Sequence, residues 1–582
     1  MAGAASPDLN PSDLNIILSI FGLFIVLYGL LSVKIKNKWY LGEALPAVLI
    51  GICLGPVAAK FIVADRWGGA EPGQTSEITL GFMRVMIGIQ LVIAGYQLPA
   101  KYTAARWKEM LLILIPVMSM MWLATTVCIL AVIPKVSLLA AMAIAACVTS
   151  TDPVLSQAVA KGPFADKYVA RPVRELISAE AGANDGFGFP FLMLATYLMR
   201  HAEGVDVMTI PEGSTLGDGT LSAVDAAMGG IHKRAGDVGR QGGGVGVALG
   251  NWALLTMLYV VTLGAVYGAF CGTLARYGIK YSLKRKWIDS ESYLLAPLAI
   301  GLIMIGTAGA FGSNDLLACF AAGSALNWDG EYLAETLKRH DEVNSSIDVL
   351  LNFSGFMYLG TIMPWSEFQS DITGITYGRL FGLGFLVLIF RRIPAIMVTY
   401  KLMPTCLRSW KEALFMGYFG PIGVGAAFYV EHTQHLYPHI DETNDTEVND
   451  LLRALRPTVY WLALFSIVVH GLSIPALDFI YGKMGVKPIQ DDAVELRRKS
   501  IHIAAPSNAI EGDKETFIAY NRFSRPVFDT TQLPDWRDEE PMPKMSDDLE
   551  RQKTEAALNG LAPPRSRSRS RSRSVIRFAD RR

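Results

Sequence analysis

Charge is what this chain of 582 residues lacks: Asp, Glu, Lys and Arg together make up 18%, and they cancel to a net charge of zero. The zero balance says nothing about partners, because the charges are confined to loops and tail, and no nucleic-acid partner is expected. Cysteine is scarce too. Its six copies (Cys53, Cys128, Cys147, Cys271, Cys319, Cys406) all fall in or beside apolar runs without CxxC spacing, so they read as small core hydrophobes. No Lys or Arg precedes the first apolar run, and the first basic cluster is Lys34, Lys36 and Lys38. The basic leader of a cleaved signal peptide is therefore absent, and the first helix is expected to be retained with its N-terminus outside the cytosol.

What the chain has is hydrophobic length: 51% of residues are apolar, in blocks of roughly 20, the span a helix needs to cross a bilayer. The fold class predicted is an all-α polytopic membrane protein of about 13 helices. They fall near 14–33, 40–59, 78–97, 109–133, 137–160, 172–198, 250–275, 292–311, 315–326, 347–363, 377–399, 412–430 and 457–481. Basic residues concentrate in alternate loops (Lys101/Arg106/Lys108, Arg276 to Lys286, Lys401/Arg408/Lys411), which places the C-terminal tail in the cytosol. Residues 200–249 read as a Gly-rich loop, and 485–582 as a largely disordered regulatory tail ending in an RS run.

Two spans carry helix breakers. The fifth reads CVTSTDPVL: Pro153 lacks an N–H, so the carbonyl of Thr149 loses its helical partner among Thr149, Ser150, Thr151 and Asp152. The twelfth reads GYFGPIGVG, with Gly420, Pro421 and Gly423. Broken backbone at membrane depth is tolerated only where it is buried or lines a cavity. Each break lies in the second-to-last span of a six-span set, so spans 1–6 and 8–13 are predicted to be inverted repeats. Their broken helices would cross near the midplane and enclose a substrate site.

The sixth span, ISAEAGANDGFGFP, holds Glu180, Asn184 and Asp185. An acid at that depth needs a cation partner or a hydrated cavity. On a helix, Ser178, Ala181, Gly182 and Asp185 share one face, and Glu180 with Asn184 lies about 140° away. Asp185 is thus the candidate for holding a proton or an alkali cation in turn, with Asp152, hydroxyls and free carbonyls of the broken fifth helix as further oxygen ligands. Glu180 wants a cation, and LVLIFRRIPAIMV offers Arg391 and Arg392.

Taken together, TSTDP, EAGAND, QLVIAGYQLPAKY (Gln90–Tyr102), GSNDLLACFAAG (Gly312–Gly323), FRRIPA and FGPIGVG resemble the monovalent cation/proton antiporter superfamily, specifically its fungal Na+/H+ branch. The resemblance covers about 1–484. It implies a secondary transporter, not an enzyme, that exchanges Na+ (or Li+ or K+) for H+ by elevator-like alternating access and has no cofactor. It further implies a homodimer, with spans 1–3 and 8–10 for dimerisation, spans 4–6 and 11–13 as the ion-carrying core, and span 7 as linker. Asp185 and Asp152 would bind Na+ and H+, with Asn184, Thr149, Thr151 and Ser178 beside them. Glu180 would pair with Arg392, favoured over Arg391 by register. Roles in salt tolerance, cytosolic pH and cation homeostasis would follow, in a multi-pass protein of the plasma membrane. Three departures bear on ion selectivity: Ala181 stands where many relatives have Ser, Ile93 where many have an acid, and FGPIGVG lacks an arginine.

Lesser features complete the reading. Asp348 and Asn352 are read as pathway or packing residues; His432, His435 and His439 as solvated loop residues; His470 as intramembrane. Asn444 to Thr446 is a glycosylation sequon, and Arg497 to Ser500 a kinase-like motif. The tail gives kinase or lipid contacts as further partners, and motivates an alternative reading as a cation sensor or signalling scaffold.

Overall fold

The computed structural model describes residues 12–67, 73–161, 163–202, 241–339, 343–440, 442, 445–486 and five short strands between 494 and 528. They divide into two units, residues 1–161 with 172–485, and residues 162–171 with 486–582. In the second unit, Thr516–Ala519 pairs antiparallel with Val494–Arg497 and Ala509–Glu511, and Ile503–Ala504 pairs with Val527–Phe528. The sequon at Asn444, most of the Gly-rich loop, the Arg497 to Ser500 motif beyond its first residue and the RS run lie outside the described residues.

The first unit is helical. Its principal helices are α1 (Asp13–Val33), α2 (Ala44–Leu54), α3 (Gln74–Gln97), α4 (Trp107–Val132), α5 (Leu138–Ala146), α6 (Pro153–Ala160), α7 (Arg171–Phe187), α8 (Phe189–Arg200) and α9 (Gly244–Arg285). They continue with α10 (Ser290–Ala310), α11 (Asp315–Leu326), α12 (Glu331–Lys338), α13 (Val343–Thr361), α14 (Tyr377–Phe390), α15 (Ile393–Thr399), α16 (Trp410–Tyr418), α17 (Val424–Leu436) and α18 (Thr446–Met484). Among the described residues, seven spans are long and apolar enough to cross a membrane: α1, α3, α4, α9, α10, α18 and the stretch Tyr377–Leu402. The apolar α2 and α11 are shorter.

Small residues set the packing, as expected where helices cannot gain from hydrophobic burial against lipid. A Cβ on Gly268 or Gly272 of α9 would stand 2.1 or 2.2 Å from the carbonyl oxygen of Ala318 or Ala322 on α11. Only glycine lets these two backbones touch.

Both predicted breaks are present. The fifth span is α5 and α6 separated by residues 147–152, and the twelfth is α16 and α17 separated by 419–423. Capping explains where each half begins. Ser137 accepts from the amide of Ala140 at the start of α5, Ser409 from that of Glu412 at the start of α16, and Asp152 from that of Leu155 at the start of α6, with Pro153 at the first helical position. The sixth span begins with a continuous α7 and resumes as α8 after Gly188.

Two readings need correction. His432 and His435 are not loop residues: α17 runs six residues past the expected end of the span, and His435 Nδ1 lies 2.7 Å from the carbonyl of Glu431. Glu431 itself is buried, accepting from Tyr460 Oη at 2.9 Å and from Ser76 Oγ at 2.5 Å. Partners on α3 and α18 let the helix continue through a charge that composition alone reads as a loop.

Candidate functional site

The two breaks meet each other. The amide of Asp152 donates to the carbonyl of Pro421 at 2.9 Å, so the unwound segments run side by side. The Asp152 carboxylate then serves two helix starts at once: Oδ1 accepts from Leu155 N and Oδ2 from Val424 N, both at 2.9 Å. One negative charge sits at the positive ends of α6 and α17. Gly423 makes this approach possible, because a Cβ there would stand 2.2 Å from Asp152 Oδ2.

The opposite dipole ends are met by Arg391. Its Nη2 donates to the carbonyls of Thr149 (2.9 Å) and Ser150 (2.7 Å), and its Nη1 to that of Gly420 (2.7 Å). These are backbone oxygens freed by the breaks after α5 and α16. The carbonyl of Thr149 therefore does lose its helical partner, but it is taken by a guanidinium. The Thr149 hydroxyl is engaged as well, donating to Ala145 O at 2.8 Å. Thr149 is thus tied into the scaffold of the break through its carbonyl and its hydroxyl proton.

Arg392 has the other task. Its two terminal nitrogens fork onto Oε1 and Oε2 of Glu180, the second at 2.7 Å, and its Nε donates to Met416 O at 3.0 Å. Both side chains of this pair are buried, at 3% and 1% exposure, and Arg391 is buried as well. Of the two candidates, Arg392 is the partner of Glu180. Gly420 lies against its chain: a Cβ there would stand 2.1 Å from Arg392 Cδ.

Asp185 is buried on α7, 1% exposed, and Gly425 of α17 faces it, with room for a Cβ only 3.1 Å from Oδ1. Neither carboxylate oxygen has a hydrogen-bond partner among the described residues. Asp152 and the Ser150 hydroxyl are its polar neighbours. Other polar groups close to it are committed elsewhere. Asn184 accepts from Thr151 N (3.2 Å) and donates to Thr151 Oγ1 (2.8 Å), which ties α7 to the break. Tyr429 donates to the carbonyl of Asp185, and Asn314 to that of Gly186 at 2.6 Å.

The structure thus brings together Asp185, Asp152, Asn184, Thr151 and the breaks at Pro153, Gly420, Pro421 and Gly423. It does not bring Ser178. That residue shares the helical face of Asp185, but seven residues along a continuous helix is about 10 Å of rise, too far to share an ion. Asp348 and Asn352 belong to a separate polar chain. Gln90 donates to both (3.2 and 2.6 Å), and Asn352 donates to Glu43 at 2.9 Å. Sequence reasoning placed Ser150 at the break without a role of its own, left out Val424, Tyr429 and Asn314, and gave Arg391 only as a second choice for Glu180. The visible signal for Arg391 was its place beside Arg392 in an apolar run.

Comparison with known proteins agrees with this geometry. Residues 20–479 match the family described as "Sodium/hydrogen exchanger, transmembrane". A probable Na+/H+ antiporter of Schizosaccharomyces pombe is 37% identical over 475 residues, 80% of this chain and 56% of the relative. A Na+/H+ antiporter of Saccharomyces cerevisiae is 32% identical over 478 residues, 80% and 44% of the two chains. This chain therefore spans about half the length of those relatives. A second S. pombe Na+/H+ antiporter is 31% identical and covered over 92% of its length. Among solved structures, the sodium proton antiporter MjNhaP1 of Methanocaldococcus jannaschii at pH 8 shares the fold, with a TM-score of 0.53 and 16% identity over 79% of this chain and 99% of that one. Crossed broken helices, apolar spans and the match across the whole membrane region make this a multi-pass membrane protein, and the chain belongs to the sodium/hydrogen exchanger family.

Proposed function

We propose that this chain exchanges Na+, or Li+ or K+, for H+ by alternating access, with cation and proton taking turns on Asp185. The observation that carries the reading is the Asp185 carboxylate itself: buried, with both oxygens free of hydrogen bonds among the described residues. A buried charge without a partner is costly, so the group binds a proton or recruits a cation. Either occupant excludes the other, and that exclusion couples the two flows. Asp152 supports the site from the crossing, holding the break in place while adding negative potential beside Asp185. The names of the relatives, Na+/H+ antiporters, support the same reading.

The wider assignment follows the same family logic: about 13 spans, a homodimer built on spans 1–3 and 8–10, and a core of spans 4–6 and 11–13. The N-terminus would lie outside and the tail in the cytosol of the plasma membrane, with roles in salt tolerance and pH homeostasis. The deciding experiment is Na+-driven proton flux in proteoliposomes. Wild-type protein should alkalinise or acidify the lumen according to the gradient, and Asp185→Asn should abolish the signal. Undiminished flux in Asp185→Asn would remove the basis of the proposal.

A further inference from the structure

The second break carries a support that touches neither acid. Between Tyr418, where α16 ends, and Val424, where α17 begins, the backbone leaves the helical pattern, with the Phe419 amide still on Phe415 O and the Gly420 amide turned onto Tyr418 O. Two side chains one turn apart on α18, Ser466 and His470, reach across to it. Ser466 Oγ accepts from the amide of Ile422 at 2.8 Å. The same hydroxyl lies 3.0 Å from His470 Nδ1, and His470 Nε2 lies 3.0 Å from the carbonyl of Tyr418. A carbonyl oxygen only accepts, so the contact with Tyr418 O requires the ring proton on Nε2. Nδ1 also lies 2.9 Å from the Ser466 carbonyl, an acceptor that an unprotonated nitrogen cannot bond. Ser466 and His470 are 4% and 5% exposed. A third tie, 2.5 Å between Tyr418 Oη and Ser473 Oγ, holds the same end of α16 to α18.

We infer that His470 is a positioning residue: through Tyr418 and Ser466 it clamps both ends of the second break to α18, and so sets the depth at which that break meets Asp152 and Asp185. The segment it clamps contains Pro421, whose carbonyl holds the Asp152 amide, and leads directly into Val424, whose amide holds Asp152 Oδ2. It leads also to Gly425, the residue facing Asp185. The ring acts by its hydrogen-bond pattern and not by titration. The charged groups lining the small cavity beside it are Arg391 and Arg392, both committed to partners of their own, and no acidic residue lines that cavity among the described residues.

The effect on transport rests on the exchange reading above, so the test has two arms. A glutamine at this position can donate and accept across nearly the same spacing as the two ring nitrogens, whereas alanine can do neither. In proteoliposomes, His470→Ala should raise the KM for Na+ about tenfold with the maximal rate within about threefold, and His470→Gln should stay within about twofold of wild type. In amide hydrogen exchange of the full-length protein, peptides covering 415–430 should exchange about tenfold faster in His470→Ala and at the wild-type rate in His470→Gln. A glutamine variant as impaired as the alanine one, or an alanine variant that matches wild type in exchange, overturns the inference. Should wild-type protein carry no Na+-driven proton flux, the proposed function falls and the hydrogen-exchange arm alone judges the clamp.

Discussion

Asp152 and Val424 stand 272 positions apart and share one 2.9 Å hydrogen bond, from the backbone amide of Val424 to Oδ2 of Asp152. Because the other oxygen caps α6, this carboxylate joins the two broken helices as well as standing in the site. Asp152→Asn keeps one acceptor and turns an NH2 toward one of the two amides. Losing one charge-assisted cap costs about 1–2 kcal/mol, so the KM for Na+ should rise on the order of tenfold in a protein that still reaches the membrane. Flux titrations with Na+ check this, and an unchanged KM would show that the double cap is irrelevant to binding.

Removing one member of a buried ion pair leaves the other charge stranded. Glu180→Gln abandons the Arg392 guanidinium at 3% exposure, a loss of about 3–5 kcal/mol. Its unfolding temperature in detergent should fall by several degrees, while the paired change Glu180→Leu with Arg392→Met should recover most of the loss. Arg392→Lys should not substitute, since it cannot serve both Glu180 oxygens and Met416 O at once.

Glycine at the crossing is a steric requirement. Gly423→Ala would push a methyl into the Asp152 carboxylate, whereas Gly378→Ala, near the start of α14, meets nothing within 4 Å. Transport should be lost in the first and unchanged in the second at equal amounts of protein. Equal activity of both variants would contradict the close approach described for the break.

The proposed competition at Asp185 fixes a sign for the pH dependence. Where the carboxyl is mostly protonated, each unit of rising pH removes tenfold of the competing proton, so the KM for Na+ should fall by up to about tenfold per unit and then level off. Measurements between about pH 6 and pH 8 on both sides of the vesicle would show it. A KM that rises with pH in that range would rule out a shared carboxylate.

Legibility in the sequence followed chemistry that is local. Pro153 and Pro421 announce themselves because a proline forbids its helical bond whatever surrounds it, and both breaks occur where those prolines lie. Glu180 and Asp185 were conspicuous because membrane depth penalises charge. The missed elements depend on who meets whom. Val424 is an ordinary apolar residue whose amide matters only because α6 crosses there. Arg391 and Arg392 are identical neighbours, and only the fold sends one to a carboxylate and the other to three carbonyls. Ser178 was misplaced because helical periodicity reports direction around the axis and not depth along it. Glu431 was read as the start of a loop because Ser76 and Tyr460, its distant partners, cannot be paired with it by spacing.

The three carbonyls held by Arg391 have a consequence for which ions the protein prefers. In channels and pumps that sieve alkali metals by radius, stripped backbone oxygens replace the water around the ion. Here the oxygens of Thr149, Ser150 and Gly420 point at a guanidinium, and that of Pro421 at an amide. If Asp185 takes an ion as proposed, that ion would keep part of its hydration shell in this arrangement and be judged by charge more than by size. Such a site would treat lithium, sodium and potassium as near equals, with discrimination left to the number of waters each can shed.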